Sequence, residues 1–195
     1  MRPASALDLG GSRDNLSAVH NELTYAIIPA GPGDAAELAR VHIQSWRETY
    51  RGMLPQVYLD RMSMAVHTRR WRSRLIRGAE VTLVAETPQG LAGYCSGDWA
   101  RGGARPGEAE IATLYLLKCA QGSGLGRRLL VSTARALAAR GATSLVIWVL
   151  RDNAGARCFY ERLGGVSARE RDEAIGGGLV VAVAYRWTDI QTLFN

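Results

Sequence analysis

The sequence predicts a single α/β domain in which one mixed sheet carries helices on both faces. Segments with strand and helix periodicity follow one another in the order β, α, α, β, β, β, α, β, α, β, β. The segment 144–150 is almost wholly apolar, as in a central strand that is covered on both faces. No repeat or linker divides the chain, and its 195 residues are enough for one apolar core.

The N-terminal part predicts an arm followed by a strand and a helix. Residues 1–22 are rich in Ser, Ala, Gly and Asn, which predicts a flexible or loosely attached arm before a domain over residues 23–195. The first strand is predicted at Leu23–Ile28. Asp34 and Glu37 have the spacing of a capping box at the start of a helix. The apolar stripe of that helix consists of Ala39, Ile43, Trp46 and Tyr50.

The middle of the chain predicts a basic helix and three strands. Pro55 opens a short turn, and Ser63 is expected to cap the basic helix. Two β-type runs on either side of the turn segment 87–90 predict a hairpin, and a third run follows a glycine-rich loop. These strands are Val81–Glu86, Leu91–Trp99 and Ala109–Leu117.

The C-terminal part predicts two helices and three strands. A long helix begins at Gly124 and stops at Gly141, with an apolar face of leucine and alanine. The remaining elements are the strand Ser144–Leu150, the helix Ala154–Leu163, and the strands Ser167–Ile175 and Leu179–Trp187.

Net charge and cysteine content limit the kinds of ligand and site that are expected. The net charge of +6 favours either solubility or attraction to an anionic ligand such as a polyphosphate cofactor. The arginines form no basic tract of the kind that binds nucleic acid. Cys95, Cys119 and Cys158 are widely spaced and odd in number, so neither a disulfide framework nor a metal site is expected. Without an apolar span or a secretory signal, a cytoplasmic protein that does not bind membranes is expected.

A glycine-rich loop at residues 121–126 predicts a diphosphate site. It reads Gln-Gly-Ser-Gly-Leu-Gly and opens a helix, where backbone N–H groups and the helix dipole favour anions. Arg127 and Arg128 add positive charge. A P-loop would need Lys-Ser/Thr after the last glycine, and a dinucleotide fingerprint would need Gly or Ala at position 127. The alternative is a tight strand-to-helix turn that binds nothing.

Three motifs together resemble the GCN5-related N-acetyltransferase (GNAT) family. Gln121, Gly124 and Gly126 match its signature Gln/Arg-x-x-Gly-x-Gly/Ala. The segment 110–116 reads Glu-Ile-Ala-Thr-Leu-Tyr-Leu, similar to the family's Glu-hydrophobic-x-x-Leu-Tyr-hydrophobic strand. The segment 153–164 approximates the later signature Asn-x-x-Ala-x-x-Phe-Tyr-Glu-x-x-Gly.

The resemblance covers about residues 23–188. Residues 45–52 also resemble a stretch common in one bacterial branch of the family. Two places depart from the family pattern. Lys118-Cys119-Ala120 stands where a proline is frequent, and Gly165 replaces the aromatic residue that usually follows the last motif glycine.

The resemblance implies a mostly antiparallel sheet whose fourth and fifth strands splay apart, with acetyl-CoA as the acetyl donor. Pantetheine would lie in the gap and pair with the backbone of Leu114 and Leu116. The residues assigned to cofactor binding are Leu114, Tyr115, Leu116, Gln121, Gly122, Ser123, Gly124, Leu125, Gly126, Arg127 and Asn153.

The expected reaction is acetyl transfer to a primary amine by direct attack in a ternary complex. Such an attack needs a base for the amine proton and an acid for the departing thiolate. The resemblance assigns these roles to Glu110 and Tyr160; a strand-end carboxylate and a packing tyrosine are the alternatives. A covalent route through Cys158 is disfavoured, because on a helix it falls off the face of Tyr160.

The acceptor is expected to be a small-molecule or peptide amine, and the protein a monomer or homodimer. Trp46 and Tyr50 lie one helical turn apart and could share a wall of the acceptor pocket, or could belong to the core. Two other classes stay open. One is a non-catalytic acyl-CoA-binding module, and the other is an interaction domain without a ligand.

Overall fold

The computed structural model describes residues 25–101 and 105–195; the predicted arm at residues 1–22 lies outside them. The described part forms one sheet with the strand order β1-β2-β3-β4-β5-β7-β6. The strands are β1 (Ala26–Pro29), β2 (Val81–Thr87), β3 (Gly90–Trp99), β4 (Glu108–Leu116), β5 (Ser144–Leu150), β6 (Val166–Ile175) and β7 (Gly178–Trp187). The helices are α1 (Ala35–Thr49), α2 (Gln56–Asp60), α3 (Met64–Arg77), α4 (Leu125–Ala139) and α5 (Ala154–Arg162).

The seam between β4 and β5 is the parallel contact within this otherwise antiparallel sheet of described strands. Glu108–Ile111 pairs with Ser144–Ile147, and the pairing then stops. From Thr113 to Leu116, β4 remains paired with β3 alone on its other side. The predicted mixed, mostly antiparallel sheet with a splay between the fourth and fifth strands is therefore confirmed.

Helices cover both faces of the sheet, as predicted. On one face, Leu129 of α4 packs in the larger core with Ile111 of β4, and α5 lies beside it. On the other face, Leu38 of α1 and Trp71 of α3 pack against Tyr94 of β3. None of the described helices combines the length and apolar character that crossing a bilayer requires.

The predicted first strand is present at Ala26–Pro29 and ends one residue after its predicted end at Ile28; its predicted first residues, 23 and 24, lie outside the described part. The other local prediction at the N-terminal side was wrong. The capping box predicted at Asp34 and Glu37 does not form. Asp34 is already helical because a 3₁₀ turn precedes it, and its carboxylate accepts a hydrogen bond from the Gly31 N–H at 2.8 Å. Glu37 instead pairs with Arg40 at 2.9 Å.

The indole of Trp187 occupies the space beside Gly165, the position at which the family usually carries an aromatic residue. A Cβ on Gly165 would lie 2.7 Å from Cζ2 of Trp187 and 3.0 Å from the carbonyl oxygen of Tyr160. The Trp187 ring is buried, and its N–H donates to the Leu163 carbonyl at 2.7 Å. The aromatic ring that fills this space therefore belongs to β7 and not to position 165.

Candidate active site

The splay opens a cleft of about 520 Å³ between β4 and β5. Its walls are the end of β4, the loop that follows, the first turn of α4, and α5. Such a volume is in the range of small-molecule sites. The predicted site residues that line the cleft are Tyr50, Leu114, Tyr115, Leu116, Gln121, Gly122, Gly124, Gly126, Arg127, Asn153 and Tyr160.

Ser123 and Leu125, also predicted to bind cofactor, are turned toward the protein. The Ser123 hydroxyl donates to the Ala120 carbonyl at 2.7 Å and accepts from the Leu125 N–H at 3.4 Å. Leu125 is buried in the larger core. The Ser123 hydroxyl therefore stabilises the loop while the residue stays exposed, and Leu125 can offer only its backbone to a ligand.

The free edge of β4 offers backbone groups to the cleft. The Leu117 N–H donates to the Ala92 carbonyl at 2.9 Å, so the alternation of an antiparallel ladder turns Leu114 and Leu116 away from β3. Their N–H and C=O groups face the side from which β5 has separated. The Leu116 carbonyl accepts from the Ser45 hydroxyl at 3.2 Å and from the Gln121 amide at 3.3 Å.

Tyr115 differs from its two neighbours on β4. The same alternation directs its backbone toward β3, and its side chain is enclosed by other aromatic rings. Its hydroxyl lies 3.3 Å from the hydroxyl of Tyr50. Burial raises the pKa of Tyr115 well above its usual value of 10.0, so this hydroxyl stays protonated.

The glycine loop exposes its backbone at the start of α4. Gly122 and Gly124 have φ angles of 77° and 80°, and a Cβ on either would meet no atom within 4 Å. The N–H groups of Gly126 and Arg127 have no acceptor among the described residues. With the dipole of a helix of 15 residues behind them, these groups have an arrangement that favours anions, as the sequence predicts for a diphosphate.

The two arginines after the loop have different surroundings. Arg127 lines the cleft, and its guanidinium donates to the Asn195 carbonyl. Arg128 donates to the Tyr25 hydroxyl at 2.9 Å and stacks over that ring at 4.6 Å. The Arg128 guanidinium is therefore held at Tyr25, and its charge does not point to the loop as expected.

Asn153 lies at the cleft rim as the N-cap of α5. Its side-chain oxygen accepts a hydrogen bond from the Ala156 N–H at 3.1 Å. Capping satisfies one of the N–H groups that a helix start leaves without a partner. The observed contact is therefore structural, and its side-chain amide remains for a ligand.

Tyr160 projects from α5 to the wall of the cleft. It is 6% exposed and packs against Phe159, Tyr185 and Trp187, whose ring centroids lie 5.3–6.3 Å away. Its hydroxyl has no hydrogen-bond partner among the described residues. Burial is the main cause that raises the pKa of Tyr160, so the group keeps its proton at neutral pH.

Glu110 lies outside the cleft, in a neighbouring depression of about 380 Å³. It pairs across the strands with Asp98 of β3, and it is half-buried. Burial raises the pKa of Glu110 above its usual 4.5, and Glu173 of β6 adds to this while Arg171 opposes it. The carboxylate is thus a stronger base than an exposed glutamate.

The cleft and the depression share one lining residue, Ala112. Ser96 pairs with Thr113 and Gly97 pairs with Ile111, so Ala112 is an extra residue that forms a bulge in β4. Ile111 belongs to the same core as Tyr160, and Glu110, next along the strand, points to the opposite face. Tyr160 and Glu110 therefore approach the bulge from opposite faces of the sheet.

The structure separates the two residues predicted for the acceptor pocket. Tyr50 lines the cleft, whereas Trp46 lies behind it, between His42 and Tyr50 at centroid distances of 5.1 and 5.0 Å. The Trp46 indole N–H is buried and has no partner among the described residues. Cys119 and Cys158 are exposed, and neither lines the cleft.

Several residues of the site were missed from the sequence. They are Arg74, Glu80, Asp98, Trp99, Thr113, Trp148 and Phe159. Thr113 and Phe159 lie within the two family motifs and could have been found there. Trp99 is 46% exposed, and an exposed aromatic side chain can mark a binding site, but its exposure is known only from the structure. The others carried no signal of their own in the sequence.

Comparison with known proteins identifies the family. The sequence profile of the acetyltransferase (GNAT) family matches residues 43–165. The uncharacterised N-acetyltransferase YuaI of Bacillus subtilis is 30% identical over 161 residues, which cover 82% of this chain and 91% of that protein.

Two solved structures share the fold. The PaiA N-acetyltransferase from Thermoplasma acidophilum, in complex with coenzyme A, superposes with a TM-score of 0.68 at 19% identity, over 84% of this chain and 99% of that one. The yncA protein from Salmonella typhimurium, solved with acetyl-CoA, gives a TM-score of 0.65 at 20% identity, over 85% and 95% of the two chains. Since the profile and the Bacillus relative each span most of this chain, it belongs to the acetyltransferase (GNAT) family and is an N-acetyltransferase.

Proposed function

We propose that this protein transfers the acetyl group of acetyl-CoA to a primary amine by direct attack in a ternary complex. Glu110 acts as the base and Tyr160 as the acid. The observation that carries the proposal is the bulge at Ala112, a residue that lines both the cleft between β4 and β5 and the depression that contains Glu110. A thioester at this point would have Tyr160 on one side and Glu110 on the other.

Acetyl-CoA fits the cleft in an extended orientation. Pantetheine amides would pair with the backbone of β4 at Leu114 and Leu116, as an added strand would. The diphosphate would accept hydrogen bonds from the exposed N–H groups of the loop at residues 121–126, with Arg127 beside it. Two solved structures with this fold carry coenzyme A or acetyl-CoA, which supports acetyl-CoA as the ligand of the cleft.

The base has to remove one proton from the nitrogen that attacks the thioester carbonyl. Glu110 would take that proton either directly or through one water molecule in the depression. Its raised pKa increases its basicity, and the carboxylate form is the one that functions. As the nitrogen–carbon bond forms and the carbon–sulfur bond breaks, the carbonyl oxygen can accept from a β4 N–H such as that of Leu116.

The acid has to protonate the departing coenzyme A sulfur. Tyr160 suits this role because its raised pKa keeps the hydroxyl protonated and because the hydroxyl has no partner among the described residues. After one turnover Glu110 holds an extra proton and Tyr160 lacks one, and exchange with solvent restores both. Trp46 and Tyr50 remain proposed parts of the acceptor side, with Tyr50 nearer the cleft.

A non-catalytic acyl-CoA-binding module is the second candidate. It would need the loop and the free edge of β4, but no base in a partly buried position next to the thioester. The raised pKa of Glu110 and its position opposite Tyr160 favour the enzyme.

The experiment is a screen of small-molecule and peptide amines with acetyl-CoA, read by release of the coenzyme A thiol and by mass spectrometry of the products. The expected result is one acetyl group on the amine nitrogen and one thiol released for each. Calorimetric binding of acetyl-CoA without transfer to any amine would favour the binding module, and the absence of binding would contradict both candidates.

A further inference from the structure

A further cavity, of about 480 Å³, is formed by α1 and α3 on the face of the sheet that carries Glu110. We call it the arginine pocket. Its lining residues are His42, His67, Arg69, Arg70, Trp71, Ser73, Arg74 and Arg77. None of these described residues is acidic. A concave site lined by one sign of charge attracts ions of the opposite sign.

The spacing of basic residues in α3 places them along one side of the helix. The row consists of His67, Arg70, Arg74 and Arg77, at intervals of three, four and three residues. These are the intervals of neighbours on a helix surface, and ten residues of helix span about 15 Å. Trp71 is buried against Tyr94 and anchors the helix, so the row has a fixed position.

The arginines of the pocket differ in whether they already have an acidic partner. Arg74 donates to both carboxylate oxygens of Glu80 and stacks over Trp71. By contrast, Arg69, Arg70 and Arg77 are exposed and form no ion pair with an acidic residue of the described part. Guanidinium groups without a carboxylate partner remain available to bind phosphate or carboxylate.

The two histidines of the pocket show that its positive charge is not balanced. Their rings lie 4.8 Å apart, and Nδ1 of His42 is 2.7 Å from the Tyr94 hydroxyl. Burial, together with His67 and Arg74, lowers the pKa of His42 to about 3. Burial and then Arg70 lower the pKa of His67. No described carboxylate opposes either shift, so a bound anion would supply the missing negative charge.

The arginine pocket borders the proposed acceptor side. Arg74 and Arg77 line the pocket and also line the depression that contains Glu110. His42 of the pocket stacks on Trp46 at a centroid distance of 5.1 Å and meets the Tyr115 ring edge-on at 5.4 Å. A ligand group held in the pocket would therefore be close to the residues proposed to receive the amine.

The pocket and the depression differ in charge. The charged residues that line the depression are Glu80, Asp98, Glu110, Arg74, Arg77 and Arg101. Carboxylates and guanidinium groups are thus equal in number there, whereas the pocket has four guanidinium groups and no carboxylate among its described lining residues. An amine suits the first cavity and an anion the second. A plain alkylamine would leave the pocket unused.

We propose that the arginine pocket binds an anionic group of the acceptor, so that the acceptor is a small amine that also carries a phosphate or a carboxylate. Arg77 makes the first contact, because it lines both cavities and has no acidic partner among the described residues. Arg70 lies about two helical turns further along α3 and accommodates a longer acceptor. This inference rests on the proposed function and names the acceptor class for the same site.

The first test compares amines in pairs that differ only in the anionic group. One pair is O-phosphoethanolamine and ethanolamine, and the other is an α-amino acid and its amide. Each kcat/KM is divided by the fraction of neutral amine at the assay pH. In at least one pair the anionic member should be favoured about 10- to 100-fold, as for hydrogen bonds to charged groups. The two pairs distinguish phosphate from carboxylate. An equal or higher kcat/KM for the neutral member of both pairs would overturn the inference.

The second test removes single arginines. In Arg77→Gln and Arg70→Gln, the ratio of kcat/KM for the anionic member to that for the neutral member should fall about tenfold or more. The ratio cancels any effect of the lost charge on Glu110. Arg72→Gln is the matched control, because Arg72 is exposed on the same helix and lines neither cavity. The control should keep the wild-type ratio. An unchanged ratio in both pocket variants would contradict the assignment.

The third test measures binding without the reaction. Inorganic phosphate is titrated into the protein with saturating coenzyme A, at constant pH and ionic strength, and the ring resonances of His67 are followed by NMR. They should shift in the wild type and in Arg72→Gln, and about tenfold more phosphate should be needed in Arg70→Gln. No shift in the wild type would overturn the arginine pocket as an anion site.

The binding and kinetic results together separate the possible failures. Phosphate binding at His67, combined with an unchanged kinetic ratio in both pocket variants, would show that the anion is not part of the acceptor. If the wild type binds acetyl-CoA and modifies no amine, the proposed function fails and the acceptor class with it. The phosphate titration would in that case still decide whether the pocket binds anions.

Discussion

The two ends of the β4–β5 seam are built from the same strands but make different contacts. At the closed end, Glu108–Ile111 pairs with Ser144–Ile147. The Glu108 side chain there is fully buried beside Arg186 of β7, whose own side chain is 12% exposed. Nε of Arg186 lies 2.6 Å from Oε1 without the alignment of a hydrogen bond, and Nη2 donates to Oε2 at 3.3 Å.

At the open end, β4 has no partner strand on the β5 side, and its backbone groups face a cleft. The change occurs within one residue, at the bulge of Ala112. Closing one end fixes the angle at which the strands separate, so the free edge of the other end is already formed before a ligand arrives. Preorganised donors are the kind that stabilise charge in a reaction without further rearrangement. The closed end should therefore determine stability, and the open end binding and chemistry.

The largest effect on chemistry is expected from Glu110→Gln, close to the bulge at Ala112 that separates the two ends of the seam. The substitution keeps the shape of the side chain and removes the proton acceptor. On an acceptor found by screening, kcat/KM should fall by about 10²–10⁴, the usual contribution of one acid–base group. Stability and acetyl-CoA affinity should be unchanged. Normal turnover of this variant at neutral pH would assign the base elsewhere.

The pH profile sharpens the same test. Glu110 must be ionised to act, and its pKa is raised above 4.5, so wild-type kcat/KM should fall as the pH falls through that raised value. Glu110→Gln should lose this dependence. Its deficit should also shrink at high pH, where more of the amine is already neutral.

At the closed end, Arg186→Met should mainly affect stability. It leaves the Glu108 carboxylate buried without its partner, which typically costs about 3–5 kcal/mol. Urea denaturation should show this loss, and the folded protein should still bind acetyl-CoA normally. The double variant Glu108→Gln/Arg186→Met should recover most of the stability, because no buried charge remains. A loss of acetyl-CoA affinity in the folded single variant would contradict the division between the two ends.

At the open end, Gly124→Val should weaken acetyl-CoA binding. A side chain there would stand in the approach of the diphosphate. Hydrogen bonds to charged groups are worth about 1.5–3 kcal/mol, so calorimetry should show a loss of roughly 10- to 100-fold in affinity.

Gly141→Val is the matched control. Gly141 lies just past the other end of α4 with a φ of 99°, and a Cβ there would meet no atom within 4 Å, so the strain is similar. Both variants should lose comparable stability, but only Gly124→Val should lose affinity. Equal affinity losses would indicate that helix strain, and not access to the loop, is responsible.

The smallest effect is expected for Tyr160→Phe, which removes one hydroxyl and keeps the ring packing. A thiol pKa near 8.5 makes the thiolate a fair leaving group without an acid, so kcat should fall only about tenfold. The deficit should grow at high pH, where solvent supplies fewer protons while the wild-type tyrosine keeps its own. A deficit that is independent of pH would indicate a packing role.

Periodic features of the fold could be predicted from the sequence. The stripe of α1 is confirmed at Ala39, Ile43 and Tyr50, all buried, because apolar residues at helical spacing have to face the sheet. The limits of α4 at Gly124 and Gly141 are confirmed for a similar reason: both glycines adopt positive φ. The loop at 121–126 was predicted because its chemistry is contiguous in the sequence.

Features that depend on pairing between distant segments could not be predicted. The bulge at Ala112 exists only because of how β4 registers with Ser96 and Gly97, and the sequence Ile-Ala-Thr carries no mark of it. Glu110 was found through the family motif, but the depression around it is lined by β3 and α3, and charged residues of β6 act on its carboxylate. The roles assigned to the site residues remain predictions that the variants above address.

The Trp187 ring fills the volume that an aromatic side chain at position 165 would need, and this has a consequence for consensus engineering. An aromatic residue at position 165 and tryptophan at position 187 would compete for one volume, since even a methyl group at 165 would lie 2.7 Å from the indole. Restoring the family's preferred aromatic residue at this single position, a common route to stabilised variants, would overpack the core. The two positions have to be designed as one unit, with a small residue at one whenever the other carries the ring.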